Sequence, residues 1–116
     1  MIKIKRIYEI PASEDGKRIL VDRIWPRGVS KAEAQLSLWM KEIAPNTELR
    51  KWFDHKPERF AEFAERYEKE LASKEVIGHL EQLRSWSEKE TVTLLFAAKD
   101  QKHNHALVLK EILECE

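Results

Sequence analysis

Apolar and polar residues alternate from the first positions of the chain: Ile2, Ile4, Arg6 and Tyr8 interleave with Lys3, Lys5, Ile7 and Glu9. That period of two predicts a strand near the edge of a sheet. A second strand is expected over residues 18–25, where Ile19, Leu20 and Val21 run consecutively and suit a strand covered on both faces. Pro26 lacks a ladder donor and Gly28 permits a turn, so the sheet ends there. The connection from Pro11 to Gly16 is too short for a helical crossover. The first two strands are therefore either an antiparallel pair or non-neighbours.

Helical spacing follows. Ser30 and Glu33 have capping-box spacing, which predicts a helix carrying Leu36, Trp39, Met40 and Ile43 and stopping before Pro45. Asn46 or Thr47 caps a short helix with Leu49, Trp52 and Phe53. Pro57 opens one with Phe60, Phe63, Tyr67 and Leu71 on a single face. Ser73 starts another, with Val76, Ile77, Leu80 and Leu83 as its stripe. Residues 91–98 are β-branched and apolar, the clearest later strand, and Asn104 is placed to cap a last helix with Leu107, Leu109, Ile112 and Leu113. The pattern predicts one compact α/β domain over residues 1–116. Its small mixed sheet has parallel core strands at about 18–25 and 91–98, covered by helices, and the long helical stretch between them suffices for a right-handed crossover.

Composition narrows the function. The 21 basic and 21 acidic residues cancel, which argues against bulk nucleic-acid binding. The one cysteine, Cys115, allows neither a disulfide framework nor a cysteine-rich metal site, and fits a reducing cytoplasm. No stretch reaches signal-peptide or membrane-spanning character, so the expected location is the cytoplasm, away from membranes.

Chemistry concentrates at two strand ends. The first holds Asp22, Arg23 and Arg27 around Trp25-Pro26. Arginine forks match phosphate and carboxylate oxygens, and ligands collect at the carboxyl ends of strands in open α/β sheets. The second holds Ala97-Ala98-Lys99-Asp100, followed by His103-Asn104-His105 at a helix start, where free N–H groups favour an anion. Each has a purely structural counterpart: Asp22 paired with an arginine or with Lys99, and Asn104 acting only as a cap. His103, His105 and Asp100 make a poor metal set, so no metal or cofactor is expected. His55 and His79 read as surface residues. Trp39, Trp52 and Trp86 read as core, whereas Trp25 is placed to wall a pocket or stack on a flat ligand.

The string Leu20-Val-Asp-Arg-Ile-Trp-Pro-Arg-Gly28 occurs together with Thr93-Leu-Leu-Phe-Ala-Ala-Lys-Asp100, Asn104-His-Ala106, Trp39-Met-Lys-Glu-Ile-Ala-Pro45 and Thr47-Glu-Leu-Arg50. Over nearly its whole length the chain resembles the YeaO-like branch of the bacterial domain-of-unknown-function family 488. The resemblance implies an α/β fold with the two motif strands parallel. It also implies that two cysteines of the wider family are missing. That family has Cys-Ala-Glu where this chain has Ala97-Ala98-Lys99, and Cys-His-Arg where it has Asn104-His105-Ala106. Thiol chemistry does not carry over, whereas Asp22, Arg23 and His105 do.

The leading expectation is a site for a small anion or phosphorylated metabolite, binding or enzymatic, formed by Asp22, Arg23, Trp25, Arg27, Lys99 and Asn104. His105 would be its acid–base candidate. The competing expectation is a regulatory or interaction domain that meets a protein or nucleic acid through Trp25 and basic residues. A pocket joining the two strand ends favours the first, and a flat basic or aromatic face the second.

Overall fold

The computed structural model describes residues 1–115. Strand β1 spans Ile2–Arg6, β2 Lys17–Leu20, β3 Leu38–Trp39 and β4 Val92–Phe96. Helix α1 spans Lys31–Ala34, α2 Thr47–Phe53, α3 Phe60–Leu71, α4 Lys74–Lys89 and α5 His105–Glu114. The sheet order is β1-β4-β2-β3. Every pairing is parallel, with Ile19 opposite Leu94 and Ile4 opposite the same residue from the other side. The two motif strands are thus adjacent and parallel, as expected, and the sheet is parallel throughout rather than mixed. β1 and β2 are non-neighbours, with β4 between them.

Period-2 alternation sends side chains to two different covers. Ile19 and Val21 of the second strand region and Val92, Leu94 and Phe96 of β4 face the main core, with α2 to α5 packed over them. Leu20, Leu95 and Ile7 face the other way, joined by Ala34 and flanked by Trp25, Val29, Leu36 and Trp39. Among the described residues no long helix covers this second face. The connection between β1 and β2 crosses it instead, and Asp15 ties it down. The Asp15 carboxylate accepts from Arg18 Nη1 at 2.5 Å and from Lys5 Nζ at 3.2 Å, and Thr93 Oγ1 donates to the Asp15 carbonyl at 2.7 Å. Arg18 directs its other N–H groups to the Ala34 carbonyl. Buried charge is tolerated here because each partner is hydrogen-bonded.

Two predicted elements are revised. The Ser30–Glu33 capping box forms, with both reciprocal bonds, yet the helix lasts only four residues before Gln35 turns left-handed at φ 46°. The expected helical stripe is split between the faces: Leu36 and Trp39 pack on the second, Met40 and Ile43 on the main core. A free sheet edge decides this, because Leu38 and Trp39 pair with Ile19 and Leu20, and Met40 N–H reaches the Leu20 carbonyl. The strand expected over 18–25 ends at Leu20, one residue before a last ladder bond from Val21 N–H to the Leu95 carbonyl. The capping residues Asn46 and Asn104 behave as expected, accepting from Leu49 and Leu107 N–H at 2.8 and 3.0 Å. No described helix is long and apolar enough to cross a membrane.

Candidate functional site

β2 and β4 are adjacent and parallel, so their carboxyl ends open on the same side of the sheet. There a cleft of about 770 Å³ joins the two strand ends to the α2–α3 turn. Five of the residues singled out in the sequence line it together: Asp22, Arg23, Lys99, Asn104 and His105.

Asp22 holds the floor. Where the ladder stops, its Oδ2 accepts the Ala97 N–H at 3.0 Å, so a side chain takes over the bond that a longer β2 would have made. Its carbonyl accepts from Trp39 Nε1 at 2.6 Å. His105 Nε2 stands 2.9 Å from Asp22 Oδ1 and 3.1 Å from the Val21 carbonyl. Both neighbours are acceptors, so Nε2 carries the hydrogen. The geometry aims that hydrogen at the carbonyl, and Oδ1 is left buried without a hydrogen bond despite its close contact. Asp22 pairs with neither an arginine nor Lys99, which revises the ion-pair alternative. The His105 ring also meets Tyr67 edge-on at 6.4 Å, and Tyr67 donates to the Ile43 carbonyl at 2.5 Å. Burial, reinforced by the negative charges of Glu70 and Asp22, pushes the Tyr67 phenol well above its usual range.

Arg23 is partly committed to structure. Its Nε and Nη2 donate to the Pro45 and Ala44 carbonyls at 3.1 and 2.9 Å, which fastens the segment before α2 to the end of β2. Lys99 is exposed on the opposite strand end. Asn104 is buried, with Oδ1 capping α5 and Nδ2 donating to the Asp100 carbonyl at 3.0 Å.

Trp25 and Arg27 fall outside the cleft, contrary to their expected place in the site. The Trp25 indole donates to the Val29 carbonyl at 2.7 Å and meets Trp39 edge-on at 5.3 Å, so it fills the second face. Arg27 is exposed, and its carbonyl accepts from Tyr8 Oη at 3.0 Å.

The cleft also recruits residues beyond those the sequence singled out as ligand contacts, some of them from outside both strand ends. Arg50, Lys51, Asp54 and His55 arrive from the end of α2, and Asp100 and His103 from the loop before α5. Basic residues in the last turn of a helix ordinarily complement its dipole, so nothing in the local pattern marks Arg50 and Lys51 as cleft residues. Phe53 and Phe63, stacked at 4.3 Å between centroids, supply an apolar wall.

Charge in the cleft is unequally engaged. Asp22 is bound to Ala97, and Asp54 lies 4.0 Å from Lys56. Asp100 accepts N–H groups from Lys102 and His103 as well as His103 Nδ1 at 2.9 Å. The Lys102 N–H and the His103 ring hold the Asp100 carboxyl below the usual carboxylate range. Arg50, Lys51 and Lys99 have no ion-pair partner among the described residues. Among those residues, too, no three His, Cys, Asp or Glu side chains converge as metal ligands.

Comparison with known proteins places this geometry in a family. The uncharacterised protein YeaO of Escherichia coli is 46% identical over 112 residues, which cover 97% of this chain and 96% of the relative. The uncharacterised proteins Rv3073c of Mycobacterium tuberculosis and Mb3100c of Mycobacterium bovis are each 41% identical over 112 residues, covering 97% of this chain and 92% of theirs. No solved structure matches. The profile of DUF488-N3i, described as the inactive DUF488-N3 subclade, matches residues 1–116, and the chain belongs to that family.

Proposed function

We propose that this chain binds a small phosphorylated metabolite in the cleft at the carboxyl ends of β2 and β4, as a binding domain rather than a catalyst. The carrying observation is the imbalance of engaged charge. Each of the cleft's three carboxylates has a partner on at least one oxygen, with Asp22 Oδ1 alone left without a hydrogen bond, while Arg50, Lys51 and Lys99 line it with no ion-pair partner among the described residues. An anion entering there gains those cations without breaking any ion pair. The N-terminus of α5 adds a favourable dipole. The volume exceeds what a bare phosphate fills, and the Phe53–Phe63 wall suits an attached organic group.

The absence of turnover has its own support. Ala97 and Asn104 stand where the resemblance puts cysteines, and the matching family is described as inactive. His105 Nε2 donates to the Val21 carbonyl and stands 2.9 Å from Asp22 Oδ1, which suits an anchoring histidine. Docking of a macromolecule through Trp25 has less support, since the indole is engaged by Val29 and Trp39.

Calorimetry with inorganic phosphate and glycerol 3-phosphate tests the reading. Lys99→Ala should weaken glycerol 3-phosphate about tenfold, roughly 1.4 kcal/mol, without moving the melting temperature. Glycerol 3-phosphate should bind more tightly than phosphate alone. Wild-type protein that binds neither compound, or a Lys99→Ala variant that binds as well as wild type, overturns it. Turnover of a phosphorylated compound that is abolished in His105→Asn would overturn the non-catalytic half.

A further inference from the structure

The turn that closes α2 is unusual in its backbone. Lys56 N–H bonds back to the Phe53 carbonyl at 3.0 Å, so Asp54 and His55 are the two central residues of a tight turn. Both have positive φ, 49° and 53°. Two central residues with positive φ mark the mirror-image type I′ turn, for which Asn-Gly or Asp-Gly is the favoured pair. Asp54 suits the first position. The second holds His55, where glycine would carry no Cβ penalty.

Packing does not explain the histidine. His55 is exposed, and its ring makes no hydrogen bond or ion pair with any described residue, unlike those of His103 and His105. Its position does suggest a use, because it lines the cleft beside Arg50 and Lys51 of the preceding helical turn. Non-glycine residues held in sparsely populated backbone regions cluster at binding sites, where the strain is offset elsewhere.

We propose that His55 is a ligand contact, an imidazole presented by a strained turn to the phosphoryl group of the bound metabolite. This inference rests on the proposed function above. It adds that the phosphoryl end lies at the α2–α3 turn, between His55 and the Arg50–Lys51 pair, with Lys99 reaching it from the end of β4. The rest of the ligand then runs along the apolar wall.

His55→Gly and His55→Asn test this, each measured by thermal melting and by calorimetry with inorganic phosphate and glycerol 3-phosphate. Glycine should relieve the turn and raise the melting temperature by about 3 °C. Asparagine tolerates positive φ and should leave it within about 1 °C. Both variants should bind both probes about five- to tenfold more weakly, so one variant becomes more stable and yet binds less well. Glycerol 3-phosphate binding that is weakened by Lys99→Ala but unchanged in both His55 variants overturns this inference alone. A melting temperature that falls in His55→Gly overturns the strain argument. Wild-type protein that binds neither probe removes both readings together.

Discussion

Asp22 Oδ2 accepts the Ala97 N–H at 3.0 Å, so one carboxylate joins the two central strands at the point where their ladder ends. The same carboxylate presents Oδ1 to His105 Nε2 at 2.9 Å, with both side chains 15% exposed. Stability and cleft shape therefore meet in a single residue. Asp22→Ala leaves a backbone donor unpaired and opens space beside His105. It should cost about 1–3 kcal/mol in urea unfolding. Asp22→Asn keeps an acceptor for Ala97 and should cost less. A loss below about 0.5 kcal/mol for Asp22→Ala would show the Ala97 N–H to be satisfied by water instead.

Asp15 should set an acid limit on stability. Burial pushes its carboxyl up, but the Ala12 N–H, Lys5 and Arg18 outweigh it and hold the group below the usual range. A folded-state pKa below the unfolded one contributes stability that is present above the unfolded value, about 3.9, and lost as pH falls through the folded one. Stability measured by urea titration should therefore drop as pH falls from about 4 downward. Asp15→Asn should be less stable at neutral pH and show a flatter decline in acid. Parallel acid curves for the two proteins would contradict the assignment.

Tyr67 makes the opposite case at high pH. Its raised phenol pKa, caused first by burial, means that its contribution is complete below the unfolded value of about 10 and lost as pH rises through the folded one. Alkaline absorbance titration should show no Tyr67 phenolate until the chain unfolds. Tyr67→Phe removes the bond to the Ile43 carbonyl and should cost about 1–2 kcal/mol. A Tyr67→Phe variant that leaves the alkaline titration unchanged would refute this.

The two left-handed glycines should respond very differently to alanine. A Cβ on Gly16, at φ +63°, would sit 2.1 Å from the Thr91 carbonyl oxygen. That oxygen already accepts the Lys17 N–H that opens β2, so the backbone has little room to yield. Gly16→Ala should cost more than about 3 kcal/mol or prevent folding. At Gly28, with φ +75°, an added Cβ would meet nothing within 4 Å. Gly28→Ala should therefore cost only the conformational strain of about 1–2 kcal/mol. Similar losses at both positions would mean that contact with Thr91 is not what restricts Gly16.

Much of the scaffold was legible from local chemistry. Consecutive Ile19-Leu20-Val21 and the apolar run into Phe96 required burial on two faces, and the structure supplies it. Asn46, Asn104, Ser30 and Pro57 act through bonds or torsions within one turn, so their roles were readable in place. The short Pro11–Gly16 connection restricted β1 and β2 to two arrangements. Choosing between them required β4, which pairs with both from the far end of the chain.

Tertiary pairing decided the rest. Residues 36–43 have helical spacing, but an unfilled sheet edge took the Leu38 and Trp39 backbone and distributed their neighbours to both faces. The adjacency of two parallel strands brings Asp22 and Arg23 to Lys99, Asn104 and His105, and the sequence foresaw that grouping from strand polarity alone. It did not foresee Arg50, Lys51 and His55, whose local pattern is that of an ordinary helix end. Nor did it separate Trp25 and Arg27 from Asp22, because a chain that leaves a strand by a bend can send near neighbours to opposite faces. Periodicity and capping are short-range and are written in consecutive residues. Which loops share a cleft is a long-range property, determined only when the sheet order is complete.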